Sequence, residues 1–145
     1  MCGICGTRAA KVVEAEYDDA VTVDYAIDVL GKKHDRPFFL ACGIFRPHLP
    51  WYTPKRFFDL YPLESIRLPK TPAEDLDDVP AEGRVLSAKR RAEFLNIKQH
   101  GKWKEAIRAY LASISFADAQ LGRLLDALEQ SPHQRNTIIV FWSDH

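Results

Sequence analysis

Two short stretches of the sequence place polar groups directly after apolar runs. In FRPHLP, Arg46 and His48 follow residues 38–45. In the final SDH, Asp144 and His145 follow the apolar run IIVFW at residues 138–142. A guanidinium and an imidazole suit an anionic oxygen. A carboxylate suits a hard cation such as calcium, with His145 a less typical neighbour. Each residue also has a plain structural reading. Pro47 and Pro50 could fix a rigid loop in which His48 bonds only a carbonyl. Asp144 could cap a helix, and a terminal His145 could fray.

The elements that would position these groups are legible as apolar patterns. Residues 38–45 are almost all apolar and do not alternate, as in a strand covered on both faces of a parallel sheet, and residues 138–142 read the same way. Before the first, residues 18–33 read as a helix. Val21, Tyr25, Ile27, Val29 and Leu30 form its apolar stripe, Asp18 or Asp19 its cap, and Gly31 its end. After it, the chain changes character. Seven of the nine prolines fall between Pro47 and Pro80, so residues 46–101 read as an extended or irregular surface excursion. Its aromatic stretch PWYTPKRFFDLYP reads as local packing onto the sheet, and AKRRAEF as a solvated helix face.

A long helix then starts near Lys102 and stops before Pro132. Its stripe is Trp103, Ile107, Tyr110, Leu111, Ile114, Ala117, Leu121, Leu124, Leu125 and Leu128. Asp118 lies beside that stripe as a candidate buried anchor. Strand, crossover helix and strand imply a right-handed βαβ unit in an α/β sheet. Ligands of such sheets bind beyond the carboxyl ends of the strands, which would bring Arg46, His48, Asp144 and His145 to one crevice.

Composition excludes some functions. Lysine plus arginine and aspartate plus glutamate number 20 each, so the net charge is zero and gives no electrostatic case for nucleic acid or an anionic membrane. No apolar run approaches the ~20 residues of a membrane span. The opening MCGICGTRAAKVVEAEYDD has no apolar core of a signal peptide. Cys2 and Cys5 form one C-x-x-C with no second pair of zinc ligands, and the pair reads as incidental.

Three blocks carry a family resemblance: PFFL with PHLP and LYP, then YLASISFADAQLGRLLDALE, then NTIIVFWSDH. Together they closely resemble the sulfatases of the alkaline-phosphatase-like superfamily, in particular the iduronate-2-sulfatase-like branch. The resemblance covers residues 18–145 and leaves residues 1–17 unmatched. It implies an α/β fold with a mostly parallel central sheet flanked by helices. It also implies hydrolysis of sulfate esters, of sugars or glycans, by a formylglycine nucleophile with calcium. By the same resemblance His48 contacts the sulfate ester near the leaving oxygen, and Arg46 stands where a lysine is common. Asp144 and His145 fall at the metal site.

Other parts of the family pattern have no match. The nucleophile motif C-x-P-S-R or C-x-A-S-R is absent, since Cys5 is followed by Gly6, Thr7 and Arg8. The early aspartate pair that supplies calcium ligands has no counterpart, Asp18–Asp19 and Asp77–Asp78 lying in the wrong contexts. The lysine that follows SDH in the family is also missing. The expectation is therefore a partial sulfatase domain, truncated at both ends, inactive and poorly soluble without the remainder of its chain. Its substrate would be a sulfated small molecule or glycan. Family members are usually exported to the periplasm, the extracellular space or the lysosome, and the compartment of this chain stays open. Two other readings remain: a phosphodiester or phosphonate hydrolase of the same superfamily, and a non-catalytic module binding sulfated glycans through Arg46, His48 and the aromatic excursion.

Overall fold

The computed structural model describes residues 13–72 and 74–144. Cys2, Cys5 and His145 lie outside them. Four helices make up the ordered framework: α1 (Asp18–Leu30), α2 (Lys55–Asp59), α3 (Ala81–Gln99) and α4 (Trp103–Glu129). Single 3-10 turns lie before α1, at Glu14–Glu16, and between α2 and α3, at Leu63–Ser65. Helix α4 is the axis, with α1, α2 and the end of α3 packed against it.

The seam between α1 and α4 is built from small side chains. Helix α1 buries Asp19, Ala20, Val23, Ala26 and Leu30. Helix α4 buries Ala106, Ala109, Ala112, Ser113, Phe116 and Gln120. Both sets recur at three- and four-residue spacing, which keeps them on one helix face. Phe116 is fully buried and takes the edges of Tyr17 and Phe57, with ring centroids 5.5 and 5.3 Å away. Tyr17, Phe57, Phe58 and Phe116 with Ala20, Ala109 and Ala112 form one core, flanked by Trp51, Tyr61 and Ala119.

These are not the faces expected from sequence. The large apolar residues assigned to the stripes face outward in part: Tyr110, Ile114 and Leu125 on α4, and Val21 and Tyr25 on α1, are exposed. Asp118 is exposed as well, and the polar side chains buried on α4 are Ser113 and Gln120. Each helix therefore packs mainly small residues, with Leu30 and Phe116 among them, while several of its large apolar residues stay half-buried or open.

The expected sheet is not formed. Residues 38–45 and 138–142 belong to no strand, and no strand occurs among the described residues. The physical reason is pairing. A strand is stable only when its amides and carbonyls meet a neighbouring strand, and neither segment has one here. In the first segment Leu40, Cys42 and Ile44 are half-buried while Phe39, Ala41, Gly43 and Phe45 are exposed. That is the two-residue period of a strand with one face covered. Residues 138–142 are exposed throughout, from 59% at Ile139 to 91% at Ile138.

The excursion is more ordered than its prolines suggested. It holds α2 and most conspicuously α3, a helix of 19 residues. Helix α3 begins straight after Pro80, a residue suited to a helix start, and ends at Gln99, two residues before Gly101. Gly101 takes φ of +63°, the left-handed conformation open to glycine. There its amide donates to the Lys98 carbonyl and the Lys102 amide to that of Ile97, a paired end that turns the chain directly into α4. The aromatic stretch packs, as expected, but onto α4 rather than a sheet: Phe57 and Phe58 enter the core and Tyr61 bonds Ser115 at 2.7 Å.

Candidate functional site

Residues 45–53 form a loop fastened at several points. Its Arg46–Pro47 and Leu49–Pro50 peptide bonds are cis. The Trp51 indole donates back to the Pro47 carbonyl at 2.9 Å and its ring lies 5.8 Å from that of Tyr110. Thr53 is fully buried and shares a hydrogen bond of 2.9 Å with Ser113 of α4. These ties give the RPHLP segment a defined path across the helical layer.

Arg46 is the buried charged side chain of the loop. Its Nε and Nη2 donate to the Tyr52 carbonyl at 3.3 and 3.2 Å. Its Nη1 lies 3.6 Å from Asp19 Oδ2, and both side chains are buried. Asp19 also receives two backbone amides of the loop, Phe45 N at 2.7 Å and Arg46 N at 3.3 Å. Asp18 or Asp19 was expected to cap the helix. Instead Tyr17 occupies the cap position without a side-chain bond, and the Asp19 carboxylate serves the loop. A buried carboxylate is tolerated because it meets two amides and a guanidinium.

His48 differs from Arg46 in being exposed. Its Nδ1 lies 2.7 Å from the Leu49 carbonyl, which can only accept, so Nδ1 carries the proton. The ring leans on that of Phe45, with centroids 4.8 Å apart. Nε2 is thereby left for another partner. With the ring neutral Nε2 accepts, and with the ring cationic it donates.

Asp144 is exposed, one residue beyond the open apolar segment. Among the described residues no group of three or more histidine, cysteine, aspartate or glutamate side chains gathers as a metal would need. The structure thus brings Arg46 and His48 together on one fastened loop and adds Asp19 beneath them. It does not build a metal centre with Asp144. Sequence reasoning passed over Asp19 because a helix-start aspartate has a local explanation; the signal available was that two aspartates compete for one cap. Cys42, beside this loop, is a free thiol, and burial pushes its pKa up, with the Asp19 charge adding to the effect.

A family model described as Sulfatase matches residues 3–145. The chain belongs to the sulfatase family. It is 46% identical over 128 residues to a sulfatase of Formosa agariphila, an alignment covering 88% of this chain and 25% of that protein. It is 38% identical over 154 residues to the human iduronate 2-sulfatase, covering 98% of this chain and 28% of the relative. An arylsulfatase of Clostridium perfringens is 34% identical over 125 residues, 85% of this chain and 25% of its own length. No solved structure matches. The chain thus spans about a quarter of the length of these curated relatives. Family membership makes it kin to sulfuric ester hydrolases and implies an alkaline-phosphatase-like α/β fold. No helix among the described residues is long and apolar enough to cross a membrane.

Proposed function

We propose that the chain supplies the sulfate-handling loop of a sulfate-ester hydrolase, acting on a sulfated sugar or glycan, and that residues 1–145 alone do not catalyse. The single observation that carries this reading is the fastened RPHLP loop. It holds His48 exposed, with Nδ1 committed to Leu49 and Nε2 free to meet an ester oxygen. In its cationic form His48 donates a hydrogen bond to the sulfate ester near the leaving oxygen. Arg46 keeps a positive charge behind the loop, where its pairing with Asp19 and Tyr52 also sets the loop's shape. A charge-assisted bond of this kind matters most where charge develops in the reaction.

The sheet belongs to this proposal too. Residues 38–45 and 138–142 become neighbouring strands when strands from a longer sulfatase chain pair with them. The open large-apolar face of α4, with Tyr110, Ile114 and Leu125, then covers that sheet. Asp144 and His145 would reach calcium only in that assembled state. The described residues do not fit the ion, so no catalytic step is derived through it. The same holds for formylglycine, since its motif does not occur in these residues.

The test has two arms. The purified chain is assayed for arylsulfate hydrolysis, with none expected; turnover would overturn the claim that it is inactive alone. Sulfated oligosaccharide is then titrated against wild type and His48→Ala. Binding lost in H48A supports the loop's role, and equal or absent binding in both dismisses it.

A further inference from the structure

We propose that Asp19 is the positioning residue for His48: its buried carboxylate clamps the amides of Phe45 and Arg46 and so fixes the turn from which His48 is presented. The inference rests on the reading of His48 as a sulfate ligand and adds a residue from another element to that site.

Three observations carry it. Asp19 is only 2% exposed, although it sits in the first turn of α1, where carboxylates ordinarily face water. Its oxygens are spent on the loop rather than on its own helix, at 2.7 Å to Phe45 N and 3.3 Å to Arg46 N. The residue it holds most tightly, Phe45, touches His48 twice over: the His48 amide donates to the Phe45 carbonyl at 3.1 Å, and the two rings are in contact. The chain of contact thus runs from Asp19 to Phe45 to His48. Pairing with Arg46 is a second, separable duty. That charge needs a counter-charge in its enclosed setting whether or not the turn is held. Asp19 touches no substrate in this scheme. It acts through His48, as outer-shell partners act through the groups they orient.

The two duties come apart by substitution. Asp19→Asn keeps an oxygen for the Phe45 amide but no charge for Arg46. Asp19→Leu, of similar size, keeps neither. Both strand Arg46 alike, so their difference isolates the clamp. The readout is the tautomer of His48 in the isotope-labelled full chain, assigned with H48A and recorded where the ring is neutral. Inorganic sulfate is then titrated while the same ring signals are followed.

Wild type and D19N are expected to show the Nδ1–H tautomer, and D19L a mixture. Sulfate should bind D19L about tenfold more weakly than D19N, the equivalent of one hydrogen bond. Equal loss in both variants would make Asp19 merely the counter-charge of Arg46, and no change in either would deny it any hold on the loop; both outcomes overturn the proposal. If D19L loses its helical signal, D19L/R46M is read against D19N/R46M in its place, so that both lack the Arg46 charge and differ only in the clamp. Loss of helix there as well assigns Asp19 to core support and also overturns it. A wild type with the tautomer but without a sulfate response defeats the sulfate reading of His48 alone, while the tautomer comparison still decides the clamp.

Discussion

The seam between α1 and α4 and the segments at residues 38–45 and 138–142 are both apolar and opposite in fate. The seam is lined by Ala20, Val23, Ala26, Ala109 and Ala112, all at most 2% exposed. The segments carry Phe39, Phe141 and Trp142, at 89, 77 and 69%. Apolar area alone does not decide burial. A helix satisfies its own backbone and needs only a facing surface, so α1 and α4 can close on each other. An extended segment brings unpaired amides and carbonyls with it, and these must find a neighbouring strand before its side chains can be covered.

The largest test of this contrast pairs one residue from each side. Phe116→Ala removes the centre of the core and should destabilise the helical layer by about 3–5 kcal/mol, measured by denaturant unfolding followed by circular dichroism. Phe141→Lys, though it also removes a large apolar ring, should change stability by no more than about 0.5 kcal/mol. It should also reduce self-association in sedimentation, since an exposed apolar strand invites pairing with other copies. If F141K unfolds the helices, or F116A leaves them intact, the division into a packed and an open part is wrong.

What could be read from sequence follows the same line. Helices α1 and α4 were legible because periodicity, a following proline and acidic starts are local signals. Their boundaries agree with the expectation to within a few residues, but their buried faces do not. Alanines at 106, 109 and 112 carry little hydrophobic weight, so the stripe of leucine, isoleucine and tyrosine drew the assignment. In the proposed assembly that stripe would cover the sheet, and the sulfatase relatives are chains about four times as long. Helix α3 was read only at AKRRAEF, as a solvated helix face, because charge dominates it and prolines precede it. In the site, the sequence placed Arg46 and His48 on one short proline-flanked segment, and the structure keeps them on one loop. Their division into an enclosed residue and an exposed one was not legible. It depends on Asp19, which is 27 residues away from Arg46 in the chain.

A smaller effect tests how the loop is tied to the packed part. Ser113→Ala leaves the buried Thr53 hydroxyl without its partner and should cost about 1–3 kcal/mol. The double variant Thr53→Val/Ser113→Ala removes both hydroxyls and should recover part of that loss, the two effects being strongly non-additive. Additive losses would show that the bond does not couple loop and helix. Next in size is Gly101→Ala. A side chain at φ of +63° is strained even in open space, and about 1–2 kcal/mol is expected from the left-handed conformation. Its effect should fall on the junction of α3 and α4, seen as faster amide exchange at Gly101 and Lys102, whose donated bonds close that turn.

The smallest effect separates surface charge from packing. Arg56 donates two bonds of 2.6 Å to Glu14, joining α2 to the turn that precedes α1. That hydrogen bonding, with the guanidinium charge, holds the Glu14 carboxyl below its ordinary value of 4.5. A carboxyl lowered by folding adds stability that is fully present above the ordinary value and is lost as the pH falls below it, through the folded value. The Arg56 side chain is 60% exposed, so the contribution is that of a screened surface pair, about 0.2–1 kcal/mol. Glu14→Gln should lower stability by that amount at pH 7 and by nothing once wild-type Glu14 is protonated. Salt at 1 M should shrink the difference at pH 7, because screening then acts over about 3 Å. Phe116→Ala should keep its full cost under the same salt, since apolar burial has no charge to screen. A Glu14→Gln difference that survives both acid and salt would mean that the pair acts by packing, and the helical layer would then extend further toward the chain's beginning than its buried residues indicate.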